Sequence, residues 1–145
     1  VELTASLETA ATPAVLFGWL EDLERYPQWL SIVSRVERAG SAGADPAWLV
    51  DLRGRLGPFA RSKRLRMVRT VHEPDSRVVF ERRESDGRDH GSWVLAADVT
   101  PIGTGSSMSM ELRYSGGLWA PVLERLVTEE VQRSGPRLKQ LVEAT

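Results

Sequence analysis

The sequence predicts an α+β domain: one antiparallel sheet closed by a single long helix. Three observations predict it. Apolar and polar residues alternate in a short first stretch and again in about six later ones, joined by turns rich in Gly and Pro. A helical stretch opened by Thr12-Pro13 interrupts this pattern early. The last part of the chain carries an apolar stripe at helical spacing. At 145 residues, with no internal repeat, linker or low-complexity tract, the chain reads as one domain, 1–145.

Each element follows from its own residues. Val1, Leu3, Ala5 and Leu7 alternate with Glu2, Thr4, Ser6 and Glu8, the pattern of a half-buried strand. Thr12 caps a helix with Pro13 at its first position, and Val15, Leu16, Trp19, Leu20 and Leu23 share one face. Pro27 is expected to break that helix, and Trp29 and Leu30 lead into a second strand over 32–39. Residues 40–46 form a turn by composition. Gly57-Pro58 separates strands of about 47–56 and 59–71, and a tight turn there pairs Leu56 with Phe59, Val50 with Leu65 and Trp48 with Met67 on one face. The other face then pairs Asp51 with Arg64. The turn at Glu73-Pro74-Asp75-Ser76 sets Val71 against Val78, Arg69 against Phe80 and Met67 against Arg82, with no bulge required. After a polar loop from Ser85 to His90, Trp93, Leu95, Ala97 and Val99 point inward, as do Met108, Met110 and Leu112 beyond the turn at 101–105. Gly116-Gly117 ends the sheet. Trp119, Val122, Leu123, Leu126, Val127, Val131, Leu138, Leu141 and Val142 mark the closing helix, which Gly135-Pro136 should kink or briefly break.

Composition narrows function. Apolar residues are 41% and charged residues 27% of the chain, an ordinary soluble composition. The net charge of −1 supplies no global attraction to nucleic acid or anionic membrane. No apolar run approaches the roughly 20 residues of a transmembrane helix, and a cytoplasmic location is the default expectation. With no Cys, there is no disulfide, thiolate nucleophile or Cys-ligated metal. Two separated histidines, His72 and His90, match no metal-ligand spacing, and His72 reads as a surface residue at a hairpin turn. Gly103-Thr104-Gly105 is too short for a phosphate loop, so no cofactor is expected. Arg outnumbers Lys heavily (only Lys63 and Lys139 are lysine), a bias of GC-rich bacterial genomes.

Tyr26-Pro27-Gln28-Trp29 after the first helix, the Arg-rich hairpin and a closing helix ending in Pro136-Arg137-Leu138 come in an order that resembles the START/Bet v1-like (SRPBCC) superfamily. The resemblance is to its polyketide cyclase/dehydrase-like bacterial members. It implies a helix-grip fold: a curved antiparallel sheet of about seven strands wrapped around the long C-terminal helix, with two short helices after strand one. It also implies a cavity between sheet and helix for an apolar ligand, opening beside Gly57–Phe59, Ser85–His90 and Ser115–Trp119. A shared fold hosts many functions, so the ligand must be argued from the site.

The inward face is apolar at one end and polar at the other. The candidate ligand-binding residues are Trp48, Met67, Phe80, Arg82, Trp93, Leu95, Met108, Met110 and Tyr114, with Trp119 and Leu123 from the closing helix. All three Met fall on this face, where Met suits either a plastic pocket or gap filling in a core. Arg61, Lys63, Arg82, Glu84 and Tyr114 form the polar end. They suit an amphipathic ligand with its polar group outward, or Glu84 simply neutralising its basic neighbours. Arg82 could also stack on Trp93. Candidate catalytic groups are Arg82, Glu84, Tyr114 and His90, the last beside Asp86 and Asp89. Tyr26 is expected to pack on Trp29. The seven basic residues between Arg53 and Arg69 read as a solvated, ion-paired face, since Phe59 alone offers base stacking and no nucleic-acid partner is expected.

Three functions fit. The first is binding or carriage of a hydrophobic or amphipathic small molecule, such as a lipid, polyketide or isoprenoid-like compound. The second is a cofactor-independent cyclase/dehydrase-like enzyme using the same pocket. The third is a protein- or membrane-interaction module with a closed core.

Overall fold

The computed structural model describes residues 1–56, 58–115 and 120–145; for residues 41, 42, 56, 59 and 120–123 it describes the backbone only. Strand β1 (Glu2–Thr9) is followed by helix α1 (Pro13–Leu20) and a 3₁₀ helix (Leu23–Gln28). Then come β2 (Val33–Ala42), β3 (Asp45–Leu56), β4 (Phe59–Glu73), β5 (Arg77–Arg82), β6 (Trp93–Ile102), β7 (Gly105–Tyr114) and helix α2 (Ala120–Glu143). All seven strands form one antiparallel sheet in the order β1-β7-β6-β5-β4-β3-β2. This is the helix-grip architecture, a curved sheet with the long C-terminal helix and short helices after the first strand. Among the described residues, no helix is long and apolar enough to cross a membrane.

The local chemistry explains where the elements start and stop. The Thr12 hydroxyl accepts the Val15 N–H at 3.4 Å and Pro13 occupies the first turn of α1. That helix ends at Leu20, well before Pro27. Asp22 takes an extended conformation and its carboxylate accepts the Glu24 N–H at 2.9 Å, so it ends one helix and caps the next. Pro27 lies inside the 3₁₀ helix and does not break α1. From β4, Arg69 donates to the Glu21 carbonyl at 2.9 Å, a cation placed at the C-terminal end of α1.

The β3–β4 register is the expected one, with Leu56 opposite Phe59, Val50 opposite Leu65, Trp48 opposite Met67 and Asp51 opposite Arg64. In β4–β5 the pairs Met67–Arg82 and Arg69–Phe80 hold, but a register shift lies between Arg69 and Val71. Val71 therefore pairs with Val79 in place of Val78, and His72 takes the position opposite Val78. The bulge adds local twist and turns His72 toward α1, where its ring stacks on Phe17 at 5.8 Å and meets Glu21 at 3.4 Å. The turn after β2 is tighter than composition implied, since pairing continues to Ala42 and Asp45. Helix α2 is continuous from Ala120 to Glu143 with Pro136 inside it, so Gly135-Pro136 does not break it.

One core joins all elements. Leu16, Phe17 and Leu20 of α1 pack with Trp48, Leu65 and Phe80 of the sheet and with Leu126, Leu138 and Val142 of α2. Gly54 on β3 lies tight against this packing: a Cβ there would lie 1.9 Å from Cδ2 of Leu126, so that side chain would have to shift.

Candidate functional site

Between the sheet and α2 lies a cavity of about 520 Å³. Its walls come from most of the chain. Strand β1 contributes Leu3, Ala5 and Leu7, and the 3₁₀ helix and the residues after it contribute Leu23, Tyr26, Trp29, Leu30 and Ile32. The sheet adds Val50, Leu52, Leu65, Met67, Trp93, Leu95, Met108, Met110 and Leu112. Helix α2 adds Val127, Val131 and Leu138. The polar residues bordering the space are Gln132, Ser134 and Lys139 on α2, and Thr4 and Ser6 on β1, whose side chains alternate to the face opposite Leu3, Ala5 and Leu7. Of the lining residues on α2, Gln132, Pro136 and Lys139 are exposed, so the cavity meets solvent along the second half of α2.

Five of the sequence-predicted ligand residues line this space: Met67, Trp93, Leu95, Met108 and Met110. Trp48 and Phe80 are buried beside it and meet edge to face, 5.6 Å between ring centres. Trp119 lies outside the described residues, as does the side chain of Leu123. The same holds for Gly57, the Phe59 side chain and 116–119 in the expected openings, whereas no residue of the Ser85–His90 loop lines the cavity. Sequence reading missed two parts of the wall. Alternation identified Leu3, Ala5 and Leu7 as a strand face without showing that it bounds a cavity. The Tyr26–Trp29 contact was foreseen (ring centres 4.7 Å apart), but not that both rings reach the cavity.

The polar residues Arg82, Glu84 and His90 gather outside the cavity wall. Arg82 Nε donates to Glu84 Oε1 at 2.9 Å, and the Arg66 backbone N–H donates to the same oxygen at 3.0 Å. Arg82 also donates to the Gly91 carbonyl at 3.2 Å and lies 3.4 Å from His90 Nδ1. His90 Nε2 is 2.9 Å from Asp86, an arrangement suited to the Nε2–H tautomer. The Arg88 backbone N–H, then the His90 hydrogen bond, hold the Asp86 carboxyl below its ordinary range. Burial, then the positive charge of Arg82, lowers the Lys63 ammonium. Glu84 thus neutralises the most buried guanidinium of the group: the Arg82 side chain is 8% exposed and Glu84 19%. The ring stacked on Trp93 is that of Tyr114, at 4.6 Å and nearly parallel. The Tyr114 hydroxyl is buried without a hydrogen-bond partner among the described residues; burial, then the Glu124 charge, pushes its pKa up to about 12. Among the described residues, no group of three or more His, Asp or Glu is placed to hold a metal ion.

Solved structures with this fold extend over the whole chain. The protein TTHA0849 from Thermus thermophilus is 21% identical, with 99% of this chain and 98% of that one covered and a TM-score of 0.76. A START superfamily protein from Mycobacterium smegmatis is 15% identical, covering 99% and 97%, with a TM-score of 0.73. The di-domain ARO/CYC StfQ from the steffimycin biosynthetic pathway is 14% identical over 99% of this chain and 51% of its own, with a TM-score of 0.69. These likenesses establish the fold. No curated protein matches the chain in sequence. The sequence profile of one family, described as polyketide cyclase / dehydrase and lipid transport, matches residues 1–143. With that match spanning nearly every residue, the chain belongs to the polyketide cyclase/dehydrase and lipid transport family.

Proposed function

We propose that the protein binds and carries an apolar or amphipathic small molecule between its sheet and α2. The observation that carries this reading is the cavity itself: about 520 Å³, walled mainly by Leu, Val, Ile, Met and Trp, in a domain of only 145 residues. A space of that size falls within the range of small-molecule sites and would bury most of a drug-sized ligand. Gln132 and Lys139 at the solvent side suit a molecule whose polar end stays in water. The test is native mass spectrometry of protein purified from its own host, followed by denaturation and identification of released compounds. A co-purifying amphipathic molecule supports carriage. An empty protein that also binds no lipid or aromatic polyketide from a panel overturns it and favours an interaction role.

A second reading, a cofactor-independent cyclase/dehydrase, is favoured by Tyr114. Its buried phenol, without a hydrogen-bond partner among the described residues, stays protonated at neutral pH, and its ring stacks on the cavity-lining Trp93. A neutral phenol can donate to a ketone and stabilise developing enolate charge. Arg82 and Glu84 serve this reading less well, because each already satisfies the other. Turnover of a linear β-diketone into a cyclic product, lost in Tyr114→Phe, would favour the enzyme. No turnover by wild type would leave the carrier.

A further inference from the structure

Helix α2 borders the cavity along two stripes. Val131, Ser134 and Leu138 form the inner one, buried or half-buried toward the sheet. Beside it Gln132, Gly135, Lys139 and Glu143 follow one another three or four residues apart, so they share a flank of the helix. Glu143 fixes where that flank points. Its carboxylate accepts the hydroxyl of Thr9, the last residue of β1, at 2.9 Å. The flank therefore faces β1, an edge strand of the sheet. Lys139 stands about one turn before that contact and Gly135 about two. Gln132, Gly135 and Lys139 line the cavity, as do Leu3, Ala5 and Leu7 across the gap. Those three β1 residues point inward yet are only half-buried, so the helix does not cover them fully. At Gly135 the gap is open: a Cβ there would meet no described atom within 4 Å. Glycine is a poor helix former and the adjacent Pro136 a poorer one. Among the described residues no packing asks for so small a side chain at 135, and its effect is to leave space between helix and strand.

We propose that the gap between β1 and α2 at Gly135 is the entrance of the cavity, and that the ligand is an amphipathic anion that enters tail first and leaves a carboxylate head against Lys139. This deepens the ligand-binding reading and rests on it. Beyond the entrance the walls are mainly apolar, so an ionised head is held back by the cost of losing its hydration. Lys139 is the one charged residue among the described lining residues, and it is exposed, so a head group can meet it while keeping part of its water. Glu143, the carboxylate one turn beyond Lys139, is engaged by Thr9. Gln132, on the other side of Gly135, adds an amide donor at the same rim.

The probe is cis-parinaric acid, a fluorescent fatty acid, with its methyl ester as the uncharged control. Both should bind the wild type. Lys139→Gln should lower the acid-to-ester affinity ratio about fivefold, the weight of one exposed ion pair, and Lys139→Arg should restore most of it. Gly135→Leu tests the entrance separately. Its side chain enters open space, so the variant should fold, and urea unfolding checks that it does. Stopped-flow fluorescence should show association and dissociation of the acid each slowed about fivefold or more, since a narrowed passage raises the barrier in both directions. An acid-to-ester ratio unchanged by Lys139→Gln overturns the head-group assignment, and that surface substitution leaves the core untouched. Unchanged rates in a folded Gly135→Leu overturn the entrance, and so does faster dissociation, which would mean that the added side chain has taken binding space. Each of these results leaves the cavity reading standing, because the wild type still binds. If neither acid nor ester binds the wild type, the cavity reading falls and this one with it.

Discussion

Replacing Gly54 by Ala should destabilise the domain by driving a methyl group into Leu126. The added Cβ would lie 1.9 Å from Cδ2, 2.9 Å from Cγ and 3.2 Å from Cδ1 of Leu126, so the whole branched end is obstructed. Leu126 is buried in the core, and a rotamer change there displaces neighbours. Overpacking of this kind costs about 1–3 kcal/mol, or roughly 3–10 °C in Tm at this size. Urea unfolding of Gly54→Ala, Leu126→Ala and the double variant gives the cycle that isolates the contact. Leu126→Ala alone should cost about 2–5 kcal/mol. In the double variant the new methyl enters space that Leu126 has vacated, so its cost should fall below the sum by about 1–3 kcal/mol. Costs that add to within about 0.5 kcal/mol would refute the reasoning. So would a neutral Gly54→Ala, because α2 would then have room to sit farther from β3.

Met110→Trp should fill part of the cavity and weaken binding of a bulky apolar probe such as fluorene by about tenfold or more with the fold intact; unchanged affinity in a folded variant would place the ligand elsewhere. Pro136→Ala should restore a helical N–H and stabilise α2 by about 1–3 kcal/mol, read as a rise in urea midpoint; destabilisation would mean that the proline is needed by its surroundings. Arg82→Met strands Glu84 with one remaining hydrogen-bond donor and should cost about 1.5–3 kcal/mol; because Arg82 lies outside the described wall, a fatty acid and its methyl ester should be affected alike, and a selective loss of the acid would return Arg82 to the ligand site. The Arg64 hydrogen bond, then its charge, holds the Asp51 carboxyl below its ordinary range. A carboxyl lowered on folding adds stability above its unfolded pKa, about 3.9, and loses it as pH falls through the folded value. Wild type and Arg64→Gln should therefore differ at neutral pH and converge in acid; a gap constant down to pH 2 would contradict the pairing.

The sheet was legible where two constraints acted together. At Leu56–Phe59 a two-residue turn set the register and parity carried it back through Val50–Leu65 to Trp48–Met67. Parity alone was not enough at Arg69–Val71. There Arg69 satisfies the end of α1 from the sheet, a tertiary contact that leaves no periodic trace, and the bulge beside it displaced Val71 and His72. Pro27 misled, since it sits in a 3₁₀ turn and does not break α1, and of the two outcomes expected at Gly135-Pro136, a kink or a brief break, the break does not occur. In the site, the inward Met residues and Trp93 were found because burial follows strand alternation. The contribution of β1 depends on a pairing across almost the whole chain, which alternation does not encode.

That pairing orders events during folding. The Val1 amino group donates to the Tyr114 carbonyl, 113 residues away, and β1 joins the sheet only through β7. Strands β2 to β7 each have a neighbour adjacent in sequence, whereas β1 must wait for the last strand to be made. Closing so long a loop is slow relative to hairpin formation. During synthesis β1 is made before the other six strands and is thus the last of the seven to find its place in the sheet. Leu3, Ala5 and Leu7 arrive with it, so a nascent chain lacks one wall of its cavity until synthesis has passed β7.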